Sequence, residues 1–355
     1  MISFEFDEKY FENEVRCGFE VSSLMKRCWA MQLKVLSDFD AVCSRHGLKW
    51  FAFCGTLLGA VRHGGFIPWD DDLDVCMLRG DYNMFLHYAR TEMKDYYVEY
   101  NDALDPEEKR AYDFMGITRI NNTFKAEFDD EYLSSHFGFP YAAGLDVYPL
   151  DYLPKDKETL DLITQVYAFC INTAFKYKSV YWTNYAAPIG NYEGIVLDEA
   201  YESIRNVTGI GIDKNGDILK QLNSVAENLA AITKSKDSES VACMGHLIQG
   251  HNLIFPKDAF KSRMSVPFES GTVYVPYGFN EVLSRNYGKG YITPANRSPH
   301  DYPYYKQQER WALDYVIKNP EVRGIITEYY ISDVYDENPG KKKKLDEIYG
   351  KNTAP

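Results

Sequence analysis

Apolar residues recur along this chain with two periods, and each change of period marks a change of element. Leu24, Cys28, Met31, Val35, Phe39 and Val42 follow one another at steps of three or four, the stripe of an amphipathic helix. Gly47 is a suitable stop. Lys49 to Cys54 contains Trp-Phe-Ala-Phe-Cys, an apolar run short enough to be a buried strand. It enters Gly55-Thr-Leu-Leu-Gly-Ala-Val-Arg62, so the segment reads strand, glycine turn, short helix. His63-Gly-Gly65 ends that helix, and Pro68 forbids its continuation. Leu73 to Met77 alternates as a second strand, with Asp72 and Asp74 on one face.

Asp81 is placed to cap a helix through Met84, Phe85 and Tyr88, and Phe114 to Ile120 predicts another strand. A further strand is expected around Leu145 to Tyr148, before Pro149. Helical spacing returns from Asp156 through Leu160, Ile163, Tyr167 and Cys170, and again at Ile218, Leu222, Val225, Leu229 and Ile232. A Tyr- and Gly-rich stretch, 180–216, lies between them. The pattern predicts an α/β catalytic half over residues 1–155 and a mostly helical half over 156–355 that completes the substrate cleft.

Composition narrows the partners. With 45% hydrophobic and 26% charged residues, neither disorder nor a fibrous repeat is indicated. A net charge of −13 argues against a nucleic-acid partner, because phosphate-backbone affinity comes from clustered Lys and Arg. An anionic substrate therefore needs a local positive site or a metal. The basic run Lys341 to Lys344 reads as a solvated tail, with peripheral membrane contact as the alternative. Seven cysteines form no C-x-x-C pair, which disfavours a disulfide framework or a zinc ribbon. The first residues are acidic where a signal peptide is basic, and no apolar run reaches membrane-spanning length. A cytoplasmic location is expected.

The candidate chemistry lies in Asp70, Asp71, Asp72 and Asp74, set among Trp69, Leu73, Val75 and Met77. Carboxylates crowded into an apolar setting call for a cation. Asp72 and Asp74, two apart on a strand, offer oxygen ligands side by side to a hard divalent ion. Mg²⁺ keeps several waters and is held by one or two carboxylates plus substrate phosphates, so two Asp suffice. Gly55-Thr56, at the start of a helix after a strand, leaves backbone N–H groups open to a phosphate. Asp146 in Gly144-Leu-Asp-Val-Tyr-Pro-Leu-Asp151 supplies a third carboxylate. It either joins the metal or takes the proton from an attacking hydroxyl.

The run Gly55 to Val75, the following Arg79-Gly-Asp-Tyr82, and Asp146-Val-Tyr-Pro-Leu-Asp151 resemble the LicD family of phosphotransferases, to which the fukutin-related glycosylation enzymes are also similar. The likeness extends from the helix near residue 24 to about residue 155, and is weaker at Phe268-Glu-Ser-Gly271 and Leu283-Ser-Arg-Asn-Tyr-Gly288. It implies an α+β fold, a nucleotidyltransferase-like mixed sheet flanked by helices. It also implies Mg²⁺, and transfer of a phospho-alcohol such as phosphocholine or ribitol phosphate from a CDP-activated donor to a hydroxyl of a glycan or lipid-linked glycan. By the same resemblance Asp72 and Asp74 hold the metal, Asp146 is the third acid, and Gly55 and Thr56 contact donor phosphate. Arg62 either neutralises phosphate or pins the acidic loop through a salt bridge. Trp69 packs under that loop, and Arg119 falls in a strand beside the Asn122 to Phe124 element.

Two enzymatic readings share these motifs: transfer with release of CMP, and nucleotidyl transfer by attack on the α-phosphorus. A third reading is a non-catalytic glycan- or nucleotide-binding protein, which the full carboxylate set disfavours because an unpaired buried Asp is costly. Asp213-Lys-Asn-Gly-Asp217 lacks the spacing of a calcium loop and reads as a turn before a helix. His246 and His251 are five apart, the wrong step for a zinc helix. No G-x-S-x-G or Walker lysine motif is present.

Overall fold

The computed structural model describes residues 1–98, 116–181, 191–251, 253–294 and 302–351. In chain order the elements are β1 (Glu14–Arg16), β2 (Phe19–Val21), α1 (Ser23–Arg45), β3 (Phe51–Ala52), α2 (Cys54–Arg62), β4 (Asp74–Leu78), α3 (Arg79–Glu92), β5 (Tyr97–Val98), β6 (Thr118–Asn121), α4 (Asp130–Ser135) and β7 (Gly144–Leu153). There follow α5 (Lys157–Tyr181), α6 (Leu197–Thr208), α7 (Ile218–Ala230), β8 (Ser240–Ala242), α8 (Met244–Ile248), β9 (Phe255–Pro256), β10 (Arg263–Phe268), β11 (Gly271–Pro276), α9 (Phe279–Tyr287), α10 (Lys306–Lys318) and α11 (Pro339–Tyr349). The main sheet is mixed, with order β3-β4-β7-β6-β5, and β8 and β9 continue from the far half of β7. Only the β4–β7 pair is parallel among its described ladders. This is the α+β architecture expected, helices flanking a mixed sheet.

The helix foreseen from the stripe at Leu24 is α1. Ser22 caps it by accepting from the Met25 N–H at 3.1 Å, and all six stripe residues are buried. Gly47, at φ +67°, sits just beyond its end. Strand and helix follow at 51–62, but α2 begins at Cys54, one residue past the strand and with no side-chain cap, so Gly55 lies in its first turn and not in a separate glycine turn.

Several boundaries differ from expectation, each for a local reason. β4 begins at Asp74, so Asp72 precedes the strand and remains exposed. Asp81 is not a cap: β4 runs straight into α3, and Asp81 lies in the first turn, where the positive end of the helix dipole favours it. The strand near 145 does not stop before Pro149 but continues to Leu153. Pro149 is tolerated because it falls between two antiparallel pairings, β6 ending opposite Val147 and β8 beginning opposite Asp151. Of the strand expected over 114–120, residues 114–115 lie outside the described residues, and pairing starts at Thr118. In 180–216, residues 182–190 also lie outside them, and α6 occupies part of the rest. Lys341 to Lys344 are solvated as expected, but on a helix, α11. Asn338 caps α11, Lys341 pairs with Asp314 at 2.7 Å, and Lys342 pairs with Asp336.

The large apolar core joins α1, the sheet, and α9 through α11, while a smaller one gathers α5, α6 and α7 against the end of β7 and β8. A buried guanidinium fastens the two: Arg79 grips Asp151 bidentately at 2.5 and 3.0 Å and reaches Glu227 at 2.5 Å. Removing one partner of such a group strands the others without water, at a cost of about 3–5 kcal/mol.

The first turn of α10 carries the other buried acid of note. Glu309 is fully buried, its oxygens make no well-aligned hydrogen bond, and burial followed by the nearby charge of Asp333 pushes its carboxyl up to about 9. The folded chain therefore holds this proton more tightly than the unfolded chain does. Its contribution is present in full below about pH 4.5 and is lost progressively as pH rises toward 9. Glu309→Gln should melt at a higher temperature than the parent protein at pH 8, by the equivalent of a few kcal/mol, with the difference closing near pH 4.5. Melting curves across that range check it, and a pH-independent difference would mean that Glu309 is ionised in the fold.

Candidate active site

Strand register builds the site. Asp74 on β4 lies opposite Asp146 on β7, and Asp146 lies opposite Arg119 on β6. Residues paired across strands project to the same face, so two carboxylates and a guanidinium stand in a row across three neighbouring strands. Arg119 Nε is 3.3 and 3.4 Å from the two Asp146 oxygens. Asp74 is buried at 5% exposure, whereas the Asp146 side chain is 28% exposed and Asp72 is open to solvent. The row thus runs from a buried acid to accessible ones.

Burial first, and then the charges of Asp72, Asp146 and Asp70, raise the Asp74 carboxyl well above the usual carboxylate range, and a hydrogen bond from Tyr148 opposes the rise. Acids gathered around a buried carboxyl leave negative charge that a cation would balance. The donor set is oxygen only and suits a hard divalent ion such as Mg²⁺. Among the described residues no group of three His, Cys, Asp or Glu side chains is arranged to hold a metal ion. Of the two side chains expected to hold it, Asp74 is buried and Asp72 lies exposed just before β4, close enough for its charge to act on Asp74.

The acidic loop is held from below. Trp29 Nε1 donates to the Asp70 carbonyl at 3.2 Å, and Gln32 Nε2 donates to that of Asp71 at 2.8 Å. Asp71 is fully buried and accepts the Tyr304 N–H at 2.7 Å, so it faces inward and ties the loop to the segment before α10. Trp69 is buried with its ring edge-on to Phe19 and His63, each 6.2 Å away. A cavity of about 300 Å³ opens beside the row, lined by Gln32, Asp72, Arg119, Asn121, Asp146 and Tyr304 among others.

The residues expected to cradle phosphate are placed as follows. Gly55 lies in the first turn of α2, and a Cβ there would come within 2.3 Å of Asp70 Oδ2. The Asp70 carboxylate therefore fills the space beside Gly55 that a side chain would take. Thr56 is buried, and its hydroxyl oxygen accepts the Asp74 N–H at 2.8 Å, fixing the start of β4. Arg62 ends the same helix, donates to the Tyr291 carbonyl at 3.1 Å and feels Asp70 electrostatically, but forms no ion pair among the described residues. Of its two expected roles, the salt bridge is not the one seen. Gly55→Val should dislodge Asp70 and lower affinity for CMP about tenfold or more. Calorimetric titration checks this, and unchanged affinity would reduce Gly55 to a packing residue.

Asp151 lies five residues after Asp146 but belongs to the Arg79 network, not to the row. His246 packs its ring 5.1 Å from Tyr148, and burial lowers its pKa to about 4. Tyr148 was detectable in principle, since it stands two residues beyond Asp146 and so on the same face. No local signal singles out Trp29, Gln32 or Tyr304, which meet the acidic loop only through the fold.

Comparison with known proteins bears on this same segment. Residues 47–137 match the family described as LicD/FKTN/FKRP, nucleotidyltransferase domain. The lipopolysaccharide cholinephosphotransferase LicD of Haemophilus influenzae is 45% identical over 65 residues, which are 18% of this chain and 24% of that protein. An uncharacterized protein of Rickettsia prowazekii, RP689, is 32% identical over 92 residues, 26% of this chain and 35% of its own. The chain thus spans about a quarter to a third of the length of these relatives. Gly55, Thr56, Arg62, Trp69, Asp72, Asp74 and Arg119 fall inside the family match, and Asp146 lies beyond it. The likeness to the LicD family thus rests on residues 47–137, the segment that carries the acidic loop and the start of β4.

Proposed function

We propose that this protein is a phosphotransferase that moves a phospho-alcohol, phosphocholine or a polyol phosphate, from a CDP-activated donor to a hydroxyl of a glycan, releasing CMP. The observation that carries the reading is the row of Asp74, Asp146 and Arg119 in register, with Asp72 beside it. Two acids for a divalent ion, a more exposed acid and a cation are the parts that phosphoryl transfer requires, and this row supports reading them so. The cholinephosphotransferase relative supports phosphocholine and a lipopolysaccharide-like acceptor. A nucleotide-activated donor places the reaction in the cytoplasm. No helix among the described residues is long and apolar enough to cross a membrane.

In this reading Asp72 and Asp74 hold Mg²⁺, which when bound neutralises the donor diphosphate. Gly55 and the start of α2 receive donor phosphate, with Arg62 as a flanking cation. Asp146, partly exposed at the mouth of the cavity, accepts the proton of the attacking hydroxyl, and Arg119 orients it through the paired contact. Residues 156–355 complete the cleft. Incubation with CDP-choline, CDP-ribitol, CDP-glycerol or CDP-ethanolamine, Mg²⁺ and candidate glycans should release CMP with one of them. Pyrophosphate release from a nucleoside triphosphate, with no CMP from any CDP-alcohol, would instead establish a nucleotidyltransferase.

A further inference from the structure

The acidic row has two walls. β6 supplies one, with Arg119 and Asn121. The other comes from α9, which packs on α2 and ends at Tyr287, where Gly288 at φ +82° turns the chain away. Asn286 Nδ2 is 4.0 Å from Cys54 Sγ, so the last turn of α9 is seated against the first turn of α2, next to Gly55. Tyr287 keeps 42% of its surface exposed there. Its phenol lies within electrostatic reach of Asp70, Asp72 and Asp74, and Arg62 senses it as well.

The other tyrosines near the row are committed elsewhere. Tyr148 is buried beneath Phe53 and His246, the Tyr304 hydroxyl donates to the Ala142 carbonyl at 2.7 Å, and the Tyr302 ring meets Phe19. Tyr287 has neither a ring partner nor a hydrogen bond among the described residues. A half-exposed aromatic face held beside a phosphate-accepting helix end is the setting in which a nucleobase stacks.

We infer that Tyr287 is the stacking platform for the nucleobase of the donor, a specificity-determining residue for the reaction proposed above, on which this assignment rests. With the diphosphate between the carboxylates and the start of α2, the nucleoside extends along α9. The acceptor is left the opposite wall, beside Asp146.

The test is calorimetric titration with CMP and with ribose 5-phosphate, in Mg²⁺, on the parent protein and on Tyr287→Ala, Tyr287→Leu and Tyr287→Phe, with melting temperatures recorded for each. Loss of one stacked base corresponds to roughly a 5- to 100-fold weakening. The Ala and Leu variants should lose that factor for CMP, keep the parent affinity for ribose 5-phosphate, and retain the parent melting temperature, while Phe keeps CMP binding. Equal CMP affinity in the parent, Ala and Leu proteins overturns the assignment alone, as does a raised KM for the acceptor with CMP binding unchanged. A parent protein that binds no CMP overturns the donor reading and the assignment together.

Discussion

Asp72→Asn and Asp74→Asn should each lower the transfer rate by at least about 10²- to 10³-fold at saturating donor, with calorimetric binding of Mg²⁺ in the presence of a CDP-alcohol lost or strongly reduced. An amide keeps the shape of the carboxylate but not the charge, so the backbone contact from Thr56 to the Asp74 N–H survives. The metal-free fold should not suffer. Asp74 is buried and is raised by three neighbouring acids, so replacing its charge relieves repulsion, and the Asn variant should melt at or above the parent temperature in chelator. Loss of activity together with a fallen melting point would mean that Asp74 supports the fold instead of the ion. Undiminished Mg²⁺ binding in both variants would move the metal to Asp70, since Asp71 is buried and tied to Tyr304.

Asp146→Asn separates proton transfer from donor binding. Asp146 is more exposed than Asp74, lines the cavity, and has Arg119 bridging its two oxygens at 3.3 and 3.4 Å. As the base for the acceptor hydroxyl, its loss should lower the single-turnover rate by about 10²- to 10⁴-fold while leaving the donor Kd within a few-fold of the parent value. As a third metal ligand, its loss should weaken donor binding in step with the rate. We expect the first pattern, because Arg119 already neutralises part of its charge. A variant that transfers at the parent rate would contradict both roles. Asp151 cannot then be its substitute, because Arg79 holds both of its oxygens.

Much of this site was legible in the sequence because its parts are local. The stripe of α1, the strand-helix unit at 51–62 and the acidic stretch each declare themselves within a few residues. The third acid needed only the alternation of a strand. What stayed hidden depends on contacts across the fold. Gln32 and Tyr304 reach the acidic loop from 39 and 233 residues away, and nothing in their own surroundings marks them. Pro149 suggested an end to β7 because proline cannot donate to a ladder, yet its neighbours change partner at that point and no ladder is broken. Tyr287 lies in the segment whose family likeness was weak, and its position beside α2 follows only from the packing of α9.

In the proposed reaction the attacked atom is the β-phosphorus of a CDP-alcohol, and isotope placement identifies it. Without a glycan acceptor, water takes the place of the attacking hydroxyl, so slow hydrolysis of CDP-choline in ¹⁸O-water with Mg²⁺ leaves the label on whichever phosphorus was attacked. Attack at the β-phosphorus puts ¹⁸O in phosphocholine and leaves CMP unlabelled, which mass spectrometry of the two products should show. Label in CMP with unlabelled phosphocholine would contradict it and make the protein a nucleotidyltransferase.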